Sequence, residues 1–404
     1  MIGWCWLAAA ALAAGSDERP LDVVELVGGE QVAGIVLFEG PESVVVRVRS
    51  QERVLPAEQV ERVDSLSRNL AMVLDQQRRT DWDRTDEVMT LARFCRAKGM
   101  LGLGRVFALR ALANDPQNAG AHEFLGHLPS GEGWRVRDGA RSIRYDKLAL
   151  VRSDWGDAWI LETPHYRLRT NLDLPQAVDL VCDLEHFYRS FYALLGSHMQ
   201  LFEVTERMPA EVHADSVSFP EVLGGRRAYF RPGDFTLIVN AQGGLEMRTI
   251  FHEATHQLLY MTAVRERQGR GRVPGWLDEG LAETLAAGAV GLPGRMSVDG
   301  GARDDAYFAI HRASGDPYPL SRILTMDTSD FHGSTNLELK YAQCYTFVHF
   351  CLHAEKERYR GGFFRFIKSA YDGRASGSQF ERAMDVPRDE LERAWGEYVQ
   401  VAGR

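Results

Sequence analysis

Short runs in which apolar and polar residues alternate fill the first part of the chain. Within residues 20–65 these runs lie at 23–27, 32–37 and 43–48, and glycine-containing turns separate them. Alternation with a period of two, interrupted by turn residues, predicts antiparallel strands. We therefore expect a small β-rich module, partly closed into a barrel. It carries no cluster of polar residues that suggests chemistry, so an interaction or spacer role is predicted.

The pattern becomes helical over residues 66–135, where apolar residues recur about every 3.6 positions. The stretch 108–122, with Asp115-Pro116 inside it, resembles one tetratricopeptide-type helix pair. At least three such units are needed for a stable solenoid. We therefore expect a helical segment that braces the rest of the chain, with a boundary at residues 129–133. The two N-terminal modules are candidates for contact with a protein partner.

Residues 146–404 mix both patterns and predict one α+β domain. Strands are expected at 166–170, 211–214 and 235–241, and an amphipathic helix at 174–195. After residue 283 the pattern is mainly helical.

Inside this domain an apolar helical stretch carries His252-Glu253-x-x-His256. Two histidines at positions i and i+4 lie on one face of a helix, so both imidazoles can reach one ion. Glu253 lies between them and can act on water at the ion without being a ligand. The alternative is a buried helix with two ordinary histidines, but unpartnered histidines in a core are costly.

A catalytic zinc site needs three protein ligands and an open position. The run Trp276-Leu-Asp-Glu-Gly-Leu-Ala-Glu283 follows on the next predicted helix and offers Glu279 as the third ligand. Asp278 is the rival, because its carboxylate is adjacent in sequence. It points about 100° away around a helix.

The two motifs H-E-x-x-H and W-L-x-E-G-x-A-E resemble the gluzincin metallopeptidases, specifically the peptidase MA-like group related to thermolysin and to the zinc aminopeptidases. The resemblance covers roughly the last 240 residues. It implies a small sheet stacked on the metal helix and a helical C-terminal part. It also implies that His252, His256 and Glu279 bind Zn²⁺, that Glu253 is the general base, and that Glu283 hydrogen-bonds a ligand histidine.

The resemblance also indicates a tyrosine that stabilises the oxyanion. Zinc aminopeptidases carry one about sixty residues past the third ligand, and here 341 − 279 = 62, which makes Tyr341 the candidate. Tyr345, one turn later, is the substitute, and a core aromatic is the competing interpretation. His213, His349 and His353 are expected to be ordinary hydrogen-bonded histidines, with His213 as a candidate to support the ligands.

Related enzymes hold extended peptide substrates on the edge strand of this sheet. We assign that role to the strand at 235–241, with Phe235, Leu237 and Val239 as substrate-binding residues. One element of the aminopeptidases is missing: no G-x-M-E-N sequence precedes the metal helix. Aminopeptidase specificity therefore does not carry over, and an endopeptidase or an unknown acyl substrate is equally open.

Composition narrows the class of protein. The 404 residues are 45% apolar and 25% charged, which is typical of a globular chain of two or three domains. The formal net charge is −9 and no long basic run occurs, so the composition gives no support for nucleic-acid binding.

Residues 1–14 are almost wholly apolar and predict a signal peptide, hence an exported protein, periplasmic or extracellular. The run is too short to span a membrane in the ordinary way. The alternatives are an uncleaved signal, which would tether the chain, and a misassigned start of the sequence. Cys95, Cys182, Cys344 and Cys351 lie in apolar helical patterns and are expected to be buried free thiols.

These observations predict a zinc metallopeptidase that acts on peptide or protein substrates. Serine and cysteine nucleophile schemes have no comparable support, because no G-x-S-x-G occurs. The alternative is a zinc-containing interaction or scaffold protein of the cell envelope that catalyses nothing.

Overall fold

The computed structural model describes residues 21–220, 225–262, 273–332 and 336–401, and its architecture is mixed α+β. The predicted signal peptide at 1–14 lies outside the described residues. In the described part of the chain no helix is long and apolar enough to cross a membrane.

An antiparallel five-stranded sheet forms the N-terminal part, as the alternating pattern predicts. Its spatial order is β4-β3-β2-β1-β5, and no ladder between β4 and β5 is present in the described residues. The buried carboxylate of Asp22 accepts hydrogen bonds from the backbone N–H of Val36 and of Leu66, each at 2.7 Å, and so ties the sheet to the first helix. The strands are β1 (Asp22–Leu26), β2 (Gln31–Glu39), β3 (Ser43–Val48), β4 (Gln51–Pro56) and β5 (Val60–Asp64).

Four helices follow, and then a small sheet that the sequence pattern did not predict. The expected boundary at 129–133 is instead a hairpin, in which Leu128 pairs with Arg135 and Gly131 takes a positive φ of 62° at the turn. These strands are short and none of their residues is buried, so they carry no clear alternation. The elements are α1 (Leu66–Arg79), α2 (Thr85–Ala97), α3 (Leu101–Asn114), α4 (Ala119–Leu125), β6 (Leu128–Ser130), β7 (Gly133–Asp138) and β8 (Arg141–Arg144).

A second five-stranded sheet lies in the expected metal domain, in the order β12-β13-β11-β10-β9. The three inner strands are parallel, and both outer strands pair antiparallel with their neighbours. The elements are α5 (Tyr145–Arg152), β9 (Trp159–Glu162), β10 (Tyr166–Thr170), α6 (Leu174–Phe191), α7 (Ser197–Met199), β11 (Met208–His213), β12 (Ala228–Arg231) and β13 (Thr236–Asn240).

The edge-strand assignment from sequence is wrong. The strand predicted at 235–241 is β13, but it pairs with β11 on one side and with β12 on the other, so it has no free edge. Leu237 and Val239 are buried in the core, and Phe235 precedes the strand with a positive φ of 62°. A continuous apolar run is typical of an inner strand. Among the described strands the two edges are β9 and β12, and β12, which is only four residues long, was missed.

The C-terminal half is helical, as predicted after residue 283, apart from one short hairpin. Its elements are α8 (Met247–Tyr260), α9 (Gly275–Ala287), β14 (Ala289–Val290), β15 (Ser297–Val298), α10 (Asp305–Ala313), α11 (Leu320–Ile323), α12 (Thr328–His332), α13 (Leu337–Glu357), α14 (Arg360–Tyr371), α15 (Gly377–Met384) and α16 (Arg388–Val401). The four cysteines of the described chain are buried and free, as expected.

Helix α9 packs against α13 so closely that one position must be glycine. A Cβ built on Gly280 would lie 2.6 Å from Val348 Cγ2 and 2.9 Å from the carbonyl oxygen of Cys344. Because the second contact is backbone, the helices themselves would have to separate. Gly280 is therefore what allows α9, and with it Glu279, to sit at this depth.

We expect Gly280→Ala to lower the free energy of unfolding by about 1–3 kcal/mol, the usual cost of overpacking a core. Chemical denaturation of the metal-free protein measures this. Gly396→Ala is the matched control: Gly396 lies in α16 with nothing within 4 Å of its Cβ position, so the same methyl group should be neutral or slightly stabilising. Equal effects in the two variants would contradict the packing argument.

Candidate metal centre

The sheet and helix α6 hold α8, which carries the H-E-x-x-H motif. The buried Gln257 amide donates to the backbone oxygens of Pro209, at 3.0 Å, and of Phe235, at 2.7 Å, so it fixes the helix to the chain beside β11 and β13. On the adjacent face the Phe251 ring stacks on Phe187 of α6, with ring centroids 4.5 Å apart. The remaining face presents His252 and His256 toward α9.

Helix α9 supplies the third side chain. Trp276 at its start is fully buried, and its ring packs against Phe347, Phe366 and Phe380. This anchor and the close contact at Gly280 hold α9 against α13, α14 and α15. Glu279 then faces the two histidines, with a side-chain exposure of only 8%.

Three electron-donating atoms converge between the two helices. His252 Nε2 and His256 Nε2 are 3.1 Å apart, and Glu279 Oε2 lies 3.3 Å from the first and 3.6 Å from the second. In the described part of the chain these three residues form the group of His, Cys, Asp and Glu side chains that could hold a metal ion.

The spacing of these atoms fits a tetrahedral ion. Zinc with bonds of about 2.0–2.1 Å needs ligand atoms about 3.3–3.4 Å apart, and the three observed separations of 3.1, 3.3 and 3.6 Å lie on either side of that value. The donor set of two imidazoles and one carboxylate also suits zinc. The two histidine side chains each keep 13% exposure, so the group reaches solvent rather than being closed off.

A carboxylate contacts the far nitrogen of each histidine ring. Glu283 Oε1 lies 3.1 Å from His252 Nδ1, and Asp278 Oδ1 lies 3.1 Å from His256 Nδ1. These contacts lie on the side of each ring away from Nε2, so both Nε2 atoms face the common point between the helices. Such partners fix the tautomer of a ligand histidine and raise its basicity.

These contacts settle the geometry of Asp278. Sequence reasoning treated it as a rival third ligand, and the structure places it on the opposite side of the His256 ring from Glu279. Adjacent residues of a helix point about 100° apart, and an imidazole offers two nitrogens, so both acids can contact the same histidine. Glu283 contacts the Nδ1 atom of His252, on the side of the ring away from the three converging donors.

In the metal-free chain, the carboxylates around the two histidines favour protonated imidazole rings. Burial lowers the pKa of His252, but hydrogen bonds to Glu279 and Glu283 outweigh it and raise the pKa to about 9. For His256, burial is the largest single effect and lowers the pKa. The Asp278 and Glu279 carboxylates together outweigh burial, so the pKa is raised. A positive charge is thus favoured at this point, as a divalent ion would supply.

Glu253 is held beside the edge of the sheet. Its Oε2 accepts a hydrogen bond of 2.8 Å from the backbone N–H of Phe230 in β12. The backbone pairing at the start of this strand shows which of its groups face away from β13. Arg227 pairs with Asn240 through a backbone hydrogen bond of 2.8 Å, and the ladder alternates from there, so the Phe230 N–H points away from β13. The proposed base therefore lies at the side of β12 that no other strand of the described residues pairs with.

The structure separates the two candidate tyrosines. The Tyr341 ring lies 6.3 Å from the His252 ring between centroids, and burial together with Glu279, Glu283 and Glu253 raises the pKa of its phenol. The Tyr345 hydroxyl instead accepts the N–H of Asp304 at 2.7 Å, and its ring is fully buried. Tyr341 thus remains the candidate, and Tyr345 is engaged in holding the backbone at Asp304.

The other histidines have partners away from the three donors. His213 stacks on Trp155 at 3.7 Å between ring centroids, with its Nδ1 3.2 Å from Ser218 Oγ. His349 Nδ1 lies 2.9 Å from the Tyr398 hydroxyl. These contacts favour the ordinary interpretation of both residues.

A sequence-family profile described as "Protein of unknown function (DUF1570)" matches residues 246–371. This stretch begins at the N-cap of α8 and ends with α14, so it contains the three converging donors, Glu283 and Tyr341. No curated protein matches the chain. The match thus covers the region of the three converging donors, and it assigns no activity.

We expect Asp278→Asn and Glu283→Gln each to weaken zinc binding by about 10–100-fold, the usual effect of removing a carboxylate that supports a ligand histidine. The substitutions keep size and hydrogen-bonding capacity but remove the charge. Competition with a coloured chelator measures the dissociation constants. Asp305→Asn is the control, because Asp305 is exposed and pairs with Arg303. Unchanged zinc affinity in the first two variants would contradict the assigned contacts.

The metal-free protein should lose stability as the pH rises from about 6.5 to 9. The pKa of His252 is raised to about 9 in the folded chain, against an ordinary 6.5, so the folded state holds an extra proton in this window. The linked stability is fully present below pH 6.5 and is lost by pH 9, amounting to roughly 3 kcal/mol. Urea unfolding in excess chelator at several pH values measures it. A flat profile between pH 6.5 and 9 would show that the charge cluster is misassigned.

Proposed function

We propose that this chain is an exported, zinc-dependent metallopeptidase of the gluzincin type. One observation carries the proposal: the convergence of His252 Nε2, His256 Nε2 and Glu279 Oε2 at tetrahedral spacing, with Glu253 held alongside at the edge of a sheet. The two sequence motifs that resemble gluzincins supply these four side chains. The mixed sheet with α8 on one face is compatible with that resemblance.

His252, His256 and Glu279 would hold the zinc ion. When bound, zinc acts as a Lewis acid toward the substrate carbonyl and lowers the pKa of water toward about 7. Glu253 takes the proton of the attacking water on its carboxylate and returns it to the leaving amine. The Tyr341 hydroxyl donates a hydrogen bond to the oxygen that becomes negative in the transition state.

The outer edge of β12, which no other strand of the described residues pairs with, is the proposed site for the peptide. An extended segment added there would pair with outward-facing backbone groups of the strand. The Phe230 N–H belongs to that edge and contacts Glu253, so a peptide on this edge would bring its backbone next to the proton acceptor. Glu253 and β12 together thus favour a peptide over a small, compact substrate.

Incubation of the purified mature protein with a broad peptide library, read by mass spectrometry, tests the proposal. We expect cleavage that stops with a chelator and returns with stoichiometric zinc. A protein that binds one zinc but cleaves nothing in the library would favour the non-catalytic zinc protein. A protein that binds no zinc would overturn both.

Export is tested separately by N-terminal sequencing of the protein recovered from its source. The proposal expects the mature chain to begin shortly after residue 14. An intact first residue on a protein found inside the cell would overturn this part of the proposal.

A further inference from the structure

Arg248 lies one helical turn before His252 on α8, and its guanidinium bridges two carboxylates. Arg248 Nη2 donates to Glu283 Oε2 at 3.1 Å, and Nη1 hydrogen-bonds Asp304 Oδ2. The other oxygen of Glu283 contacts His252 Nδ1 at 3.1 Å. A continuous chain of charged contacts therefore runs from His252 through Glu283 and Arg248 to Asp304.

The far end of this chain is held by backbone. Asp304 Oδ1 accepts the N–H of Ala306 at 2.9 Å and so caps the start of α10. The N–H of Asp304 donates to the Tyr345 hydroxyl at 2.7 Å, and Tyr345 is fully buried in α13. Asp304 is thus fixed by two elements and gives Arg248 a rigid anchor outside its own helix.

A tyrosine completes the surroundings of Glu283. Burial and the nearby Glu283 carboxylate raise the pKa of the Tyr307 phenol, and the Arg248 guanidinium lies over the Tyr307 ring at 5.1 Å from its centroid. Glu283 and Asp304 are only 10% and 12% exposed, whereas Arg248 is 42% exposed and covers both. A guanidinium group suits this position, because it is always charged and its planar set of N–H groups can donate to two carboxylates at once.

We propose that Arg248 is a positioning residue of the metal centre. It holds Glu283 in the orientation in which that carboxylate contacts His252 Nδ1, and it thereby sets the direction in which His252 Nε2 points. Without Arg248 the two acids repel each other, and Glu283 is free to turn away from the ring. This inference rests on the zinc-binding part of the proposed function and does not depend on hydrolysis.

Zinc affinity measured by chelator competition at fixed pH tests it, with Arg248→Met and Arg248→Lys compared. We expect the Met variant to bind zinc about 10–100-fold more weakly, like other losses of support around a ligand histidine. The Lys variant should recover only part of this, because an ammonium group lacks the fork that spans both acids. Arg303→Met is the matched control. Arg303 is next to Asp304 in the sequence, but it pairs with Asp305 and lies over the Phe308 ring instead of contacting Glu283.

A second variant separates positioning from folding. Asp304→Asn keeps a good helix cap but removes the charge that anchors Arg248. If Asp304 acts through Arg248, the double variant Arg248→Met/Asp304→Asn should bind zinc no more weakly than Arg248→Met alone. If the losses of zinc affinity from the two single substitutions add up in the double variant, the proposed action of Asp304 through Arg248 is overturned. Unfolding of each metal-free variant checks that the fold is retained.

The outcomes distinguish this inference from the proposed function. Tight zinc binding by the unsubstituted protein with unchanged affinity in Arg248→Met would overturn the role of Arg248 alone. A fall in metal-free stability without any change in zinc affinity would likewise assign Arg248 a structural role only. If the unsubstituted protein binds no zinc, the metal centre and its positioning residue are both overturned.

Discussion

Glu253→Gln should reduce peptide hydrolysis by about a thousandfold while zinc content stays at one per chain. General acid–base catalysis contributes about 10²–10⁴-fold, and Gln has the shape of Glu but cannot accept the proton. Glu253 is not among the three converging donors, so the zinc site should be untouched. The amide oxygen of Gln can still accept from the Phe230 N–H, which keeps the edge of the sheet in place.

Turnover with a fluorogenic peptide taken from the library cleavage products, alongside zinc analysis, measures both quantities on the same sample. Glu246→Gln is the matched control: Glu246 is the exposed N-cap of the same helix, so the identical chemical change should leave the rate unchanged. Full activity in Glu253→Gln would remove Glu253 from the mechanism. Loss of zinc together with activity would mean that Glu253 supports the ion rather than the proton transfer.

Glu279→Ala should abolish both zinc binding at micromolar concentrations and the stabilisation that zinc gives. We expect affinity to fall by more than the 10–100-fold that an outer partner contributes, because a ligand bond itself is lost. In the unsubstituted protein, zinc at about a thousand times its dissociation constant should stabilise the fold by about 4 kcal/mol. Removing the carboxylate should cancel this increment.

Thermal unfolding with and without zinc measures the difference for each variant. Glu338→Ala, an exposed acid in the first turn of α13, is the control and should keep the full zinc-dependent shift. A zinc-dependent shift that survives in Glu279→Ala would show that another residue completes the site. Asp278 is the first to examine in that case, because its carboxylate is 3.1 Å from His256 Nδ1 and the ring could turn to exchange nitrogens.

The sequence predicts the local parts of this site well, for a physical reason. His252 and His256 must share a face because the helix repeat places them there, and the structure brings their Nε2 atoms to within 3.1 Å. Glu279 was chosen over Asp278 through a resemblance, since helical geometry alone left both carboxylates available. The structure shows both in contact with His256, at its two different nitrogens.

The parts that sequence reasoning missed depend on contacts between distant segments. Strand β12 is only four residues long, so its alternation is too short to separate from a loop, and only its pairing with β13 identifies it as the edge. Arg248 and Asp304 are 56 residues apart, and nothing in either local pattern indicates that they meet. A charged residue one turn before a ligand is the signal that could have drawn attention to Arg248.

Zinc-edge anomalous diffraction from crystals of the purified protein tests the central claim most directly. The account predicts one strong peak within about 2.0–2.2 Å of His252 Nε2, His256 Nε2 and a Glu279 carboxylate oxygen. It also predicts about one zinc per chain by elemental analysis of the same preparation. Crystals soaked in zinc that show no peak between these three atoms, or a peak only elsewhere on the molecule, would contradict it.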